Sequence, residues 1–340
     1  MAATEAVAEA SATPAWRRHG LRALGVVLIV FTLWLVTQIV RETDWPAVGA
    51  ALRSRSLATL AFIAVAALAS HALYGMLDVL GARALKLRLA RHRVWLTATS
   101  SYACNLNLGS LVGAAALRYK LYGRQGVAVA DISRLLALSM ASNWLGYLIL
   151  LASLPLWAST QALARWTGVP GAIAISVAAA IAVALYLYAC VKQSTWTVRG
   201  HAFHFPPWQL ALAQIGVGAA NWALIGAVLM LCLGDGVAYA SALTSLLVAA
   251  VAGAVTHVPG GWGVLDYVIL KSLAGSIDAH RIVAGVLVYR AAYYLLPLML
   301  APLSIGWLLR SSGGSPQAMD ARSSPSEETL IEDVKHRRNA

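Results

Sequence analysis

The stretch SALTSLLVAAVAGAVTHVPGGWGVLDYVILKSL, Ser241–Leu273, decides what kind of protein this is. It is apolar enough to enter a bilayer, where roughly 20 apolar residues cover about 30 Å of hydrocarbon. Its course is interrupted by His257-Val-Pro-Gly-Gly-Trp-Gly263, which cannot continue a regular helix, because proline lacks an amide proton and clustered glycines favour turns. A broken helix at membrane depth is tolerated only where protein or a water-filled cavity satisfies the freed backbone groups. Ser241–Leu273 is therefore read as a re-entrant hairpin embedded in a larger helical membrane protein.

Working outward, six plainer apolar segments surround it: Leu21–Val40, Leu57–Leu80, Leu135–Trp157, Gly171–Val191, Trp208–Leu233 and Ile282–Leu309. A second irregular stretch, Val94–Leu117, carries Asn105, Asn107 and a run of small residues. It lies between two basic clusters, Arg83, Lys86, Arg88, Arg91 and Arg93 before it and Arg118, Lys120 and Arg124 after it. Positive charge marks the cytoplasmic side, so a segment flanked by it at both ends reads as a second hairpin. Arg17, Arg18 and Arg22 place the N-terminus in the cytoplasm by the same rule, and Lys192 and Arg199 place the loop before Trp208 there. The fold class is all-α, a polytopic transmembrane protein with two glycine-rich re-entrant hairpins. Six spans follow if both are hairpins and about eight if both are crossings.

The order span, hairpin, Arg-led span occurs twice. The first set enters its hairpin from the cytoplasm and the second from the periplasm, which makes an inverted-topology repeat. Val112–Leu117 can be laid against Pro259–Val264, and Arg134 and Arg290 are expected at equivalent places, each just inside the span after its hairpin.

Composition agrees: of 340 residues 59% are hydrophobic and 12% charged, and the mean hydropathy is +0.69, outside the range of soluble domains. The chain divides into an N-terminal tail over 1–16, a single membrane domain over 17–310 and a disordered tail over 311–340, rich in Ser, Glu, Lys and Arg. Leu21–Val40 lacks a following A-x-A pattern and reads as a retained span. The net charge of +12 sits at the edges of apolar segments rather than along one groove, which points to topology and anionic lipid and away from nucleic acid. Cys104, Cys190 and Cys232 have no metal-ligand spacing, and His201 with His204 is a weak loop pair, so neither metal nor cofactor is expected. The sequence holds no nucleophile elbow, Walker loop or paired catalytic carboxylates, which argues against an enzyme.

Pro259-Gly-Gly-Trp-Gly263 followed by Asp266 is the most specific local motif. A half-helix starting there would aim free N–H groups and a positive dipole end at an anion; the alternative is a tight structural bend. Ionisable groups within a membrane are costly and so informative, and Arg118, Arg134, Asp266 and Arg290 all fall beside the irregular segments. Arginine can hold a phosphate through its bidentate fork, with Asp266 as internal counter-ion to Arg290 or Arg134. The alternatives are snorkelling or a structural ion pair, and Arg118 can also simply be cytoplasmic. The candidate substrate-binding residues are thus Arg118, Arg134, Arg290, Asp266, Gly260, Gly261, Gly263, Asn105 and Asn107. His71 and Asp78, seven apart, share a helical face and fit either a proton relay, a headgroup contact or an interhelical hydrogen bond. Asn143-Trp144 and Asn221-Trp222 are read as interhelical bonding sites. The Gly109-to-Gly113 spacing allows close helix contact within the chain or with a second copy.

Ser101-Tyr-Ala-Cys-Asn-Leu-Asn107, Gly113-Ala-Ala-Ala-Leu-Arg-Tyr-Lys-Leu-Tyr122 and Ser142-Asn-Trp-Leu-Gly-Tyr147 resemble the bacterial inner-membrane YbhN proteins. His257-Val-Pro-Gly-Gly-Trp-Gly-Val264 and Tyr289-Arg-Ala-Ala-Tyr-Tyr294 continue the resemblance, which covers nearly everything between the tails. Those proteins are similar to the membrane region of lysylphosphatidylglycerol synthases, which flips aminoacylated phospholipid between leaflets. The resemblance implies a multi-pass protein of the bacterial inner membrane that translocates lipid and lacks the soluble synthase domain. In that superfamily the second glycine motif is typically followed by Glu, where this chain has Asp266. The first motif here lacks the proline and the acid. The resemblance also implies an association with cardiolipin synthase or another envelope protein, and an anionic phospholipid, cardiolipin by preference, as substrate. A lipid-binding partner that does not transport is the other function open at this point.

Overall fold

The computed structural model describes residue 41 and residues 45–109, 114–157, 161–193, 195–198 and 201–311. The span expected over Leu21–Val40 and the tails over 1–16 and 312–340 lie outside the described residues. The described chain is almost wholly helical: α1 (Trp45–Arg53), α2 (Leu57–Ala84), α3 (Arg91–Leu108), α4 (Leu117–Gly123), α5 (Val129–Ser153), α6 (Gln161–Val191), α7 (Trp208–Leu233), α8 (Tyr239–Thr256), α9 (Val264–Leu273), α10 (Ala279–Tyr289) and α11 (Leu296–Ser311). Helix is the form this sequence must take in lipid, because it satisfies each backbone group within its own segment.

Six helical stretches among the described residues are long and apolar enough to cross a membrane, one of them α8. Helix α2 starts on a Ser56 cap, whose hydroxyl accepts from the Thr59 amide, and runs 28 residues, about 42 Å. Helix α6 bends at Gly168, where φ is +70°, just before Pro170. Helix α7 lies at the centre, packed against α2, α5, α8 and α10. Glycines make the α5–α7 crossing close, since a Cβ at Gly146 would lie 2.2 Å from the Gly218 carbonyl carbon. Helix α6 is peripheral and turns Ile173, Val177, Ile181 and Leu185 outward, as a helix with one face in lipid should.

Both irregular segments are hairpins, and single hydrogen bonds make the point. The Tyr122 hydroxyl, at the end of α4, donates to the Val94 carbonyl near the start of α3 at 3.3 Å, so the segment leaves on the side it entered. Arg281, after α9, donates to the Asp235 carbonyl, before α8, at 2.7 Å. Each hairpin has an 18-residue outward limb, α3 or α8, and a short return limb, α4 or α9. The edge bearing the Arg83–Arg93 cluster is cytoplasmic by the positive-inside bias. Arg93 donates to the Ser311 carbonyl, which brings the end of α11 to the same edge.

Two features were not foreseen. The loop before α2 contains α1, which packs on α10, and the connection between α6 and α7 holds a small antiparallel ribbon, Thr195–Val198 with His201–His204. The ribbon is confined to a loop and leaves the all-α class intact.

Candidate functional site

Arg290 is the twelfth residue of the span that begins with α10 at Ala279, which puts it about 16 Å along the helix from the periplasmic edge. There the helix widens into a π-helical turn, Arg290–Leu295. The guanidinium donates from Nε to Asp266 Oδ1 at 2.7 Å and from Nη2 to Asp266 Oδ2 at 2.5 Å. It also donates from Nη1 to the Gly260 carbonyl at 3.1 Å and from Nη2 to the Gly261 carbonyl at 3.2 Å. Its carbon lies 4.2 Å from the Trp262 ring centre and 5.1 Å from that of Tyr294. Asp266 Oδ2 in turn accepts from the Gly263 amide at 2.8 Å, capping α9.

One arginine thus ties the whole tip of the second hairpin to the following span. The sequence requires such a tie, because the Pro259–Gly263 turn breaks the helix and its carbonyls would be orphaned in hydrocarbon. Gly260 admits no side chain, since it has φ +67° and a Cβ there would lie 3.0 Å from the Leu106 carbonyl of α3. The tips of the two hairpins therefore touch.

A second buried ion pair lies nearer the cytoplasmic edge. Arg118, on α4, donates from Nε to Asp78 Oδ2 at 2.8 Å and from Nη2 to Asp78 Oδ1 at 3.1 Å. The Tyr122 hydroxyl also donates to Asp78, and Arg118 Nη1 donates to the Ala114 carbonyl in a second π-helical turn, 114–116. Arg118 and Asp78 are 1% and 0% exposed. Charges so far from water persist only when paired and hydrogen-bonded, as both are here.

Aromatic rings and hydroxyls join the two centres. Arg118 lies over Tyr74, 5.9 Å from its ring centre, and Tyr74 stacks on Tyr102 at 3.7 Å. The Tyr102 and Tyr293 hydroxyls are 3.0 Å apart, and Tyr293 stacks on Tyr289 beside Arg290. Ser70 lies 3.0 Å from the Tyr293 hydroxyl and donates to Asn221 Oδ1 at 2.7 Å. His71 packs its ring on both Tyr102 and Tyr293. Next to this ladder, His71 Nε2 and Asn221 Nδ2 are buried with no partner among the described residues.

The structure gathers Arg290, Asp266, Gly260, Gly261 and Gly263 into one centre, and Asn107 joins it by donating to the Tyr294 carbonyl at 3.1 Å. Arg118 belongs to the other centre and is buried rather than cytoplasmic. Asn105 contributes its backbone carbonyl to cap α3. Arg134 stands apart: it is 59% exposed and pairs with Asp131 one turn away. The proposed equivalence of Arg134 and Arg290 is corrected accordingly, since Arg134 is the sixth residue of α5 and Arg290 lies twelve residues into its span. The anion expected at the start of the half-helix is the chain's own Asp266.

Asp78 was read only with His71, and the tyrosine ladder was missed. An acid alone in a 28-residue apolar span signals a hidden cation, and Tyr293 and Tyr294 lie three and four residues after Arg290, on its face. His201 and His204 lie on the ribbon, and no group of three potential metal ligands occurs among the described residues.

No family model matches the chain. It is 34% identical to the inner membrane protein YbhN of Escherichia coli over 300 residues, 85% of this chain and 92% of that protein. An uncharacterised protein of Synechocystis is 24% identical over 84% of the chain and 90% of its own length. The phosphatidylglycerol lysyltransferase of Staphylococcus aureus is 26% identical over 243 residues, 68% of this chain but 27% of that protein.

Proposed function

This chain belongs to the YbhN family of bacterial inner-membrane proteins, and from that premise we propose that it moves phospholipid between leaflets along the interface of its two hairpins. The observation that carries this is Arg290, a cation at mid-membrane depth that holds the second hairpin closed through Asp266 and two turn carbonyls. A lipid phosphate offers the same bidentate acceptor geometry as the Asp266 carboxylate. By replacing it, the phosphate would release the Pro259–Gly263 turn while the acyl tails stay in the bilayer. Trp262, 42% exposed and lying over the guanidinium, is the shutter between Arg290 and lipid. The inverted hairpins supply the two-sided geometry that alternating access uses.

The substrate class is anionic phospholipid, with cardiolipin preferred through the resemblance described above, and no chemical change to the lipid is proposed. The part of the lysyltransferase that this chain matches is a minor share of that protein, so its named activity is not carried over. A second reading, a lipid-binding partner of a synthase or envelope complex that does not transport, is favoured by the completeness of both ion pairs, which suits a static scaffold.

The test is lipid scrambling in proteoliposomes with fluorescent phosphatidylglycerol and cardiolipin and a dithionite bleach. Bleaching beyond the outer-leaflet fraction, lost in Arg290→Ala and kept in Arg134→Ala, is the expected result. Bleaching confined to the outer leaflet with folded protein would replace translocation by the partner reading, which predicts co-purification with an enzyme.

A further inference from the structure

A cavity of about 570 Å³ opens at the periplasmic edge, between the start of α2, the end of α7 and the start of α10. Its size is that of a small-ligand site. Three span ends, Leu57, Leu233 and Ala279, mark the border of the hydrocarbon, so the cavity lies at headgroup depth.

Two arginines converge in it. A Cβ placed on Gly234 would lie 3.9 Å from Nη2 of both Arg55 and Arg281. Gly234 has φ +83° and carries no side chain, which leaves the space between the guanidinium groups open. Arg55 donates to the Leu231 and Cys232 carbonyls at the end of α7, and its Nε–H is buried with no acceptor among the described residues. Arg281 donates to the Asp235 carbonyl. Among the described residues neither arginine meets a carboxylate within ion-pairing distance, and Asp235 also lines the cavity without forming an ion pair.

The remaining walls narrow the ligand. The hydroxyls of Ser56 and Thr59 stand on one side, and Met230 and Leu233 form an apolar floor. From these observations we propose that the cavity binds a phosphate-bearing lipid headgroup, the phosphodiester seated between Arg55 and Arg281 and the diacylglycerol end over the apolar floor. Guanidinium pairs recognise phosphate oxygens through parallel N–H donors. This site goes beyond the translocation reading. It is at the rim rather than at Arg290, and it binds whether or not lipid is moved.

The full-length protein in detergent is titrated with dioleoyl phosphatidylglycerol, and bound lipid is measured by native mass spectrometry, with inorganic phosphate as a soluble competitor. Arg281→Gln should weaken binding about tenfold or more, with partial recovery in Arg281→Lys. Asp235→Asn, which keeps the carbonyl used by Arg281 and removes a competing negative charge, should tighten binding several-fold. It also serves if the glutamine variant does not fold. Phosphate displacing the lipid at equal concentration would confirm the anion site and assign it to a soluble phosphate. Displacement only at large excess assigns it to the lipid. Unchanged affinity in Arg281→Gln, or in Asp235→Asn where that variant must serve, would overturn the site.

Discussion

Arg118 and Asp78 illustrate what a single residue does in this molecule. Asp78 is unexposed and accepts from Arg118 twice and from Tyr122 once, so removing its charge strands a cation in the protein interior. Asp78→Ala is expected to lower stability by about 3–5 kcal/mol, because breaking a buried pair leaves one charge uncompensated. Replacing both partners, Asp78→Leu with Arg118→Met, should recover most of that loss. Unfolding in detergent, followed by circular dichroism across the single and double variants, measures both. A double variant no more stable than the single one would show that Arg118 has a role besides balancing Asp78. Arg118 was legible in the sequence as a charge beside an irregular segment. Its pairing with Asp78 was not, because a lone acid forty residues away on another helix signals a buried cation without saying which one.

At the scale of elements, helix packing rests on small residues, as expected where lipid and side chains are equally apolar. The α5–α7 crossing is the sharpest case, with Gly146 against the Gly218 backbone. Gly146→Ala should push the two helices apart and lower stability by about 1–3 kcal/mol. Gly216, on the same helix as Gly218, has open space where a Cβ would go. Gly216→Ala should therefore be neutral or gain up to about 1 kcal/mol from the lost backbone freedom of glycine. Thermal denaturation of the two variants in one detergent decides this, and equal losses would refute the close crossing. The π-helical turns are the other element-scale feature. One lies just before Arg118 and the other starts at Arg290. Such turns recur at functional sites, and here each aims an arginine inward. Hydropathy could not reveal them, since the extra residue per turn leaves the apolar pattern nearly unchanged.

For the whole molecule, the decisive question is which side each connection faces. The hairpin topology places Arg88 and Gln125 both in the cytoplasm, on either side of α3–α4, and Ser276 in the periplasm after α9. Single cysteines at these positions, compared with the parent chain, should respond accordingly to an impermeant maleimide on intact spheroplasts. Ser276→Cys is labelled at once, whereas Arg88→Cys and Gln125→Cys are labelled only after permeabilisation. Labelling of Gln125→Cys in intact spheroplasts would turn the first hairpin into a crossing and remove the inverted repeat.

The sequence by itself determined that this chain is a helical membrane protein and that two of its apolar segments are irregular. Mean hydropathy, the placement of basic residues and Pro259-Gly-Gly-Trp-Gly263 are one-dimensional signals of partition between water and lipid. Helix α7 was read with its observed ends, Trp208 and Leu233, because both are bounded by residues that stop helices. Only the tertiary structure decided that Arg290 belongs with Asp266 and Arg118 with Asp78, that Arg134 stands outside, and that Arg55 and Arg281 face each other across Gly234. Pairing depends on the rotation and tilt of each helix about its neighbours. Those are fixed by glycine contacts and buried hydrogen bonds spread over the whole fold, not by the composition of any one segment.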